Sequence, residues 1–462
     1  MTLIKSISGI RGTLGGAPGK GLTPVDAVKF AAAFGTWVHS RKGKKVVIGR
    51  DARLSGEMVS ALVSATLQGL GIDVIDLGLS PTPTVEIAVT REKADGGIIL
   101  TASHNPIQWN ALKLLNEKGE FISAADGAEV LRIAESEQFN FAEVLKLGQY
   151  LRKENYIDLH IGLIKKHPLV DVRAITKANF KIAVDAVNSV GGIAIPGLLK
   201  ALGVKKVKKL YCDPTGHFPH NPEPLPEHLK EICNLVKKEK CDLGIVVDPD
   251  VDRLALIQED GRPFGEEYTL VAVADYVLKN KKGNSVSNLS STRALRDITE
   301  KARGKYTASA VGEVNVVNTM KATKAVIGGE GNGGIIVPDF HYGRDAMIGI
   351  ALFLTHLAKS KLSASALRKT YPAYFISKNK IELTPAVNVD KVLVAMQDKY
   401  RKENINLTDG VKIDFEKEKE WVHLRKSNTE PIIRIYAESQ NEEKADFLAQ
   451  KIIKDIQNTL HS

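Results

Sequence analysis

The chain has 462 residues, 26% charged and 6% aromatic, with a formal net charge of +10, and that length exceeds what one hydrophobic core supports, so several domains are expected. No uninterrupted apolar run reaches membrane-spanning length and the N-terminus lacks a signal peptide's apolar core, which predicts a soluble cytoplasmic protein with no membrane partner. Low aromatic content and the absence of a nucleic-acid motif argue against a nucleic-acid partner; runs such as Lys205-Lys206-Val207-Lys208-Lys209 read as solvated faces, and the positive balance suits small anionic substrates.

Near the N-terminus, Gly9 and Gly12 flank Arg11, which predicts a tight loop around it. A βα unit follows: Val46-Val47-Ile48, a helix from Gly56 to Leu70, then Val74-Ile75-Asp76-Leu77. The apolar run Gly97-Ile98-Ile99-Leu100 then enters Thr101-Ala102-Ser103-His104-Asn105-Pro106, where a small polar cluster and a proline force a turn that holds out the Ser103 hydroxyl. Taken alone, such a cluster is most often a hydrogen-bonded strand ending. The charged stretch from Arg152 to Lys166 reads as an interdomain joint, and a second βα unit runs from Ile182-Ala183-Val184-Asp185 through a helix over 192–202 to Val207–Tyr211. Cys212, Cys233 and Cys241 are odd in number and lack metal-ligand spacing, so buried core thiols in a reducing compartment are expected.

The buried-strand pattern Leu243-Gly244-Ile245-Val246-Val247 runs into Asp248-Pro249-Asp250-Val251-Asp252-Arg253. Pro249 interrupts strand pairing, and the two-residue spacing can point Asp248, Asp250 and Asp252 to one side. Converging carboxylates repel unless a cation lies between them, and all-oxygen ligands favour magnesium, with manganese an option. The plain alternative is a solvated acidic loop.

A third βα unit begins near Ser285-Val286-Ser287-Asn288-Leu289 and reaches Gly304. Next, Gly328-Gly329-Glu330-Gly331-Asn332-Gly333-Gly334 reads as a glycine-rich loop between Ala325-Val326-Ile327 and Ile335-Ile336-Val337, with Glu330 and Asn332 left to bind something. It lacks the Gly-Lys-Ser/Thr ending of a phosphate loop, and its carboxylate would repel an anion, so sugar hydroxyls fit better than phosphate; a flexible hairpin fits equally well. From about Tyr371-Pro372, a second joint, the pattern becomes α+β: a strand, a helix around Val389 to Asn404, strands over 410–415, 421–424 and 432–436, and a helix to Thr459. Within it, Arg425-Lys426-Ser427-Asn428-Thr429-Glu430-Pro431 and nearby Arg434 cluster guanidinium, hydroxyl and amide donors suited to a phosphate dianion.

These four loops, in this order and spanning almost the whole chain, resemble the α-D-phosphohexomutase family of phosphoglucomutases, phosphomannomutases and phosphoglucosamine mutases. The resemblance implies three α/β domains with mixed, largely parallel sheets, expected over 1–158, 159–255 and 256–370, and a smaller α+β domain over 371–462, around one cleft. It implies an enzyme that moves phosphate between the 6- and 1-positions of a hexose through a phosphoserine at Ser103 and a hexose 1,6-bisphosphate intermediate. Asp248, Asp250, Asp252 and an oxygen of that phosphate would hold Mg²⁺. Arg11 and Lys113 would manage the proton, with His104 and Arg253 beside the transferred phosphate. Glu330 and Asn332 would meet the sugar, and Arg425, Ser427, Asn428, Thr429 and Arg434 its other phosphate. The partner implied is a small phosphosugar, bound by a monomer or homodimer that closes on its substrate.

Many relatives carry serine where this chain has Asn332, histidine where it has Gly334, and a basic residue where it has Val314. The Gly-Glu-Gly-Asn-Gly-Gly form most resembles the phosphoglucosamine mutase branch, making glucosamine 1-phosphate from the 6-phosphate, with phosphomannomutase or phosphoglucomutase the alternative. Two other readings remain. Strand-then-Asp248-Pro-Asp250-Val also matches haloacid-dehalogenase-type phosphatases, with Asp248 as nucleophile, and a non-enzymatic sugar-phosphate binding protein would need neither Ser103 nor the carboxylates.

Overall fold

The computed structural model describes residues 2–6, 9–382, 388–426 and 432–461. It divides into two compact units, Met1–Thr269 with Gly333–Leu367, and Leu270–Asn332 with Arg368–Ser462.

In the first unit, β1 (Leu3–Ser6), β2 (Gly9–Thr13), β3 (Lys45–Arg50), β4 (Asp73–Leu79), β5 (Gly96–Leu100), β6 (Trp109–Leu115) and β7 (Tyr150–Arg152) form one mixed sheet in the order β1-β2-β6-β5-β3-β4-β7. Alternation along its central strands fills two cores. Val46, Ile48, Ile98 and Leu100 join one with the helices Pro24–Ser40, Gly56–Gly69 and Ala124–Ser136, while Val47 and Ile99 join the other with the helix Thr82–Arg91. Each such buried aliphatic side chain contributes about 1.5–3 kcal/mol. A second sheet contains β8 (Lys181–Asp185), β9 (Lys206–Leu210), β10 (Leu243–Val247) and β11 (Leu254–Gln258) in the order β11-β10-β8-β9. Its edge strand β9 carries the lysine run expected to be solvated, with Lys206, Lys208 and Lys209 exposed, which also discourages edge pairing.

In the second unit, β12 (Asn284–Asn288), β13 (Tyr306–Ser309) and β14 (Ala325–Glu330) lie parallel in the order β13-β12-β14. β15 (Gly334–Ile336) belongs to the first unit, where Gly334 bridges antiparallel to Arg253. The C-terminal sheet of the second unit, β16 (Phe375–Glu382), β17 (Asn404–Asn406), β18 (Val411–Phe415), β19 (Glu420–Lys426) and β20 (Ile432–Ser439), is wholly antiparallel and covered by the helices Val389–Lys399 and Glu442–His461. The three βα units and the closing α+β pattern read from the sequence are all present.

Four local expectations are corrected. Arg11 lies within strand β2, because Gly9 and Gly12 permit close strand approach; a Cβ on Gly9 would come within 2.3 Å of the Leu112 carbonyl oxygen. Glu330 ends strand β14 rather than sitting in a loop: a Cβ on Gly328 would meet Met320 Sδ at 2.6 Å, so that glycine admits a packed side chain. The stretch from Arg152 to Lys166 is mostly the helix Tyr156–Lys166, which buries Tyr156, His160, Ile161 and Ile164. Of the cysteines only Cys241 is buried; Cys212 and Cys233 are half-buried, and all three are free.

Candidate active site

Ser103 and Asp248 follow the carboxyl ends of β5 and β10, where open α/β sheets place their ligands. Ser103 is only 6% exposed, with φ at +49°, a left-handed conformation that costs a non-glycine residue about 1–2 kcal/mol. Its amide donates to Thr101 Oγ1 at 2.9 Å and its Oγ donates to Asp248 Oδ2 at 2.7 Å, with His104 Nδ1 3.3 Å away. The turn therefore aims the hydroxyl at the carboxylates rather than outward. Val251, between two of those carboxylates, is also left-handed at φ +62°, an outlier for a β-branched residue.

Asp248, Asp250 and Asp252 are fully buried, and one ligand oxygen from each lies within 4.8 Å of the others. Asp248 Oδ1 accepts the amides of Asp252 at 3.2 Å and Arg253 at 3.1 Å. Asp250 Oδ2 accepts from Thr82 Oγ1 at 2.6 Å and Lys113 Nζ at 2.7 Å, and Asp252 Oδ2 accepts from Arg344 Nη2 at 2.7 Å. Among the described residues, Asp250 Oδ1 and Asp252 Oδ1 receive no hydrogen bond although buried. Orphaned carboxylate oxygens beside a third carboxylate fit a hard divalent cation.

Charge follows the same logic. Burial, then the neighbouring Asp250 and Asp252, push Asp248 well above the usual carboxylate range. Burial would raise Asp250 too, but the Lys113 ammonium holds it below that range. Lys113 is disfavoured as a cation by burial, yet Asp250 and Asp252 keep it above the ordinary lysine value. Burial, then Arg253, Arg344 and Lys113, lower His104 to about 2, so its imidazole is neutral. Arg253 Nη1 lies 3.3 Å from Glu223 Oε1, which is 3.9 Å from His104 Nε2. Arg11 pairs with Ala111 across β2 and β6, which puts it on the same sheet face as Lys113.

In the second unit, Glu330 is buried, and its Oε1 accepts from Asn288 Nδ2 at 2.8 Å and the Gly312 amide at 3.1 Å. Asn332 is half-buried two residues on, and Val314 is half-buried on the helix Glu313–Thr323. Arg425 on β19 stands directly opposite Arg434 on β20, which stands opposite Lys380 on β16. A row of three cations across adjacent strands is unfavourable unless an anion neutralises it. Asp409 Oδ2 answers Arg425 Nε at 3.0 Å and also accepts the Val311 amide at 3.0 Å, next to the Gly312 amide that holds Glu330. Ser427, Asn428 and Thr429 lie outside the described residues.

Models of the phosphoglucomutase/phosphomannomutase alpha/beta/alpha domains I, II and III match residues 3–141, 156–261 and 265–374, and that of the C-terminal domain matches 382–455. A phosphoglucomutase/phosphomannomutase from Thermococcus kodakarensis is 39% identical over 97% of this chain and 98% of its own. The chain belongs to the α-D-phosphohexomutase family. Another relative, the phosphoglucosamine/phosphogalactosamine mutase of Sulfurisphaera tokodaii, is 33% identical over 97% of this chain and 98% of its own. Among solved structures, a phosphoglucomutase/phosphomannomutase family protein from Burkholderia thailandensis superposes with TM-score 0.86 at 25% identity, covering 99% of this chain and 98% of the other. A phosphohexomutase is an enzyme, an intramolecular phosphotransferase, so the non-enzymatic reading falls. Among the described residues no helix of this phosphohexomutase is long and apolar enough to cross a membrane.

Several residues that contact the candidate site residues, or face them across a strand pair, escaped the sequence reading. Arg53, buried three residues past β3, donates from Nε to Asp51 Oδ2 at 2.9 Å and from Nη1 to the carbonyls of Pro106 and Trp109 at 2.9 and 3.1 Å, while Nη2 donates to the Ser103 carbonyl. Thr82, Glu223, Arg344 and Lys380 were missed as well. Arg53 and Thr82 carried a usable signal, each lying three residues beyond the carboxyl end of a parallel strand.

Proposed function

We propose that this phosphohexomutase works through a phosphoserine at Ser103 and a hexose 1,6-bisphosphate, converting glucosamine 6-phosphate to glucosamine 1-phosphate. The observation that carries the mechanism is the 2.7 Å contact of Ser103 Oγ with Asp248, beside two buried carboxylate oxygens that lack donors. Asp248, Asp250, Asp252 and a phosphate oxygen on Ser103 would hold magnesium, which supplies charge neutralisation for a moving phosphoryl group.

The chain's own residues do the rest. The left-handed turn orients Ser103 Oγ toward Asp248, with Nδ1 of the neutral His104 3.3 Å from that oxygen. Lys113 enters as an ammonium and, with Arg11 on the same sheet face, offers positive charge to the transferred group. Arg425 and Arg434, with Ser427, Asn428 and Thr429, grip the phosphate that stays put, while Glu330 and Asn332 meet the sugar's hydroxyl or amino groups. The phosphoryl leaves Ser103 Oγ for one sugar hydroxyl oxygen, whose proton ends on Ser103 Oγ, giving the bisphosphate; after its reorientation the other phosphoryl returns to Ser103 Oγ and the proton goes back to the sugar oxygen it left. A phosphatase using Asp248 as nucleophile gains no support, since both Asp248 oxygens already accept hydrogen bonds, one from Ser103.

The amino-sugar preference is supported by the Gly-Glu-Gly-Asn-Gly-Gly form and by the relative from Sulfurisphaera tokodaii. The relative named phosphoglucomutase/phosphomannomutase favours a neutral hexose instead. Comparing kcat/KM for glucosamine, mannose and glucose 1-phosphates, each with its 1,6-bisphosphate present, decides the matter. Glucosamine 1-phosphate is expected to lead, and a higher value for either neutral sugar overturns the assignment.

A further inference from the structure

Behind the carboxylate loop, three segments distant in sequence meet in a largely buried cluster of titratable side chains. Asp345 caps the helix Ala346–Ser360 through Oδ1, which accepts the amides of Met347 and Ile348 at 2.7 and 3.2 Å. Its Oδ2 takes two histidines, His160 Nε2 at 3.0 Å and His341 Nε2 at 3.1 Å. His341 Nδ1 lies 3.3 Å from Glu86 Oε2, and His160 Nδ1 lies 2.9 Å from Thr84 Oγ1. The approach of Glu86 depends on Gly343, where a Cβ would fall 1.8 Å from Glu86 Oε2.

Two of the three segments also reach the carboxylate loop. Thr84 and Glu86 share a helix with Thr82, whose amide donates to the Asp250 carbonyl at 2.9 Å and whose hydroxyl donates to the Asp250 carboxylate. Beside Asp345, Arg344 donates to Asp252 at 2.7 Å and the Ala346 amide donates to the Val251 carbonyl at 3.2 Å. One segment thus holds Asp250 and the other holds Asp252. Stability alone does not call for charge at this place, because buried ion pairs can be exchanged for apolar groups at little cost; what charged hydrogen bonds add is fixed geometry.

We infer that the cluster of Glu86, His341, Asp345 and His160 is a positioning device that sets Asp250 against Asp252 through Thr82 and Arg344, and so tunes divalent-cation affinity. The inference rests on the reading of the carboxylate loop as the metal site. The test is direct Mn²⁺ binding to the full-length, sugar-free protein by electron paramagnetic resonance, for wild type, Glu86→Gln, Arg344→Ala and the double variant. Glu86→Gln is expected to raise Kd about tenfold, the lower range for residues that orient metal ligands, and to change it by less than about twofold once Arg344 is gone. An unchanged Kd, or the same fold-change in both backgrounds, overturns the device. Should Glu86→Gln fail to fold, Thr84→Val removes one hydroxyl and carries the same expectation at about threefold, by the same reasoning. An Asp250→Asn control separates the two levels: Mn²⁺ binding equal to wild type in that variant overturns the metal-site reading itself.

Discussion

Arg53 and Ser103 stand fifty residues apart, yet one guanidinium gathers the carbonyls of Ser103, Pro106 and Trp109 and the carboxylate of Asp51. Asp51 Oδ2 in turn accepts from Thr101 Oγ1 at 2.6 Å, so the strained serine turn is held from both ends. Arg53→Ala would leave the buried Asp51 carboxylate without its cation and take the guanidinium donors from three carbonyls, of which Pro106 keeps the Trp109 amide, and should cost about 3–5 kcal/mol in urea unfolding. Arg53→Lys should not rescue it, because a point charge cannot span that fork. His341 makes a second residue-level prediction. Burial disfavours its charge, but Asp345 and Glu86 raise it from 6.5 to about 10. A raised histidine contributes stability fully below its unfolded value of 6.5 and loses that contribution as pH climbs to about 10. Asp345 is held below the usual carboxylate range, so its share is lost only in acid, and Thr84 does not titrate in this range. The stability gap between wild type and His341→Gln should therefore be widest below neutrality and narrow toward pH 10; a gap constant across that range would contradict the raised value.

At the scale of elements, the strand-helix-strand units were legible because apolar strands and helical spacing are local patterns. The carboxylate loop was legible for the same reason, three acids at fixed spacing behind an apolar strand. What was not legible is whatever depends on a neighbour remote in sequence. Gly9 and Gly328 looked like loop glycines and proved to be close-packing positions, since the atoms they accommodate, the Leu112 carbonyl and Met320 Sδ, come from elsewhere. Arg344 carried no local signal at all; its meaning is its bond to Asp252. The strand pairing of β19 with β20 adds a fact that no motif contained, the register that sets Arg425 against Arg434. If those arginines hold the stationary phosphate, Arg425→Ala should raise KM for the phosphosugar about tenfold to a hundredfold, the worth of a lost charge-assisted bond. An unchanged KM in steady-state kinetics would remove Arg425 from the clamp.

Across the whole molecule, the proposed site residues are divided between the two units. The first carries Ser103, the three aspartates, Lys113, His104 and Arg253; the second carries Glu330, Asn332 and the facing arginines. The net charge of +10 suits a chain whose proposed substrates are anions. The claim on which all of this depends is that Ser103 carries the phosphoryl group. Intact-mass measurement after incubation with a hexose 1,6-bisphosphate tests it most directly: wild type should gain one acid-stable phosphoryl group and Ser103→Ala none, whereas a phosphoryl group retained in that variant, or absent from wild type, would contradict the account.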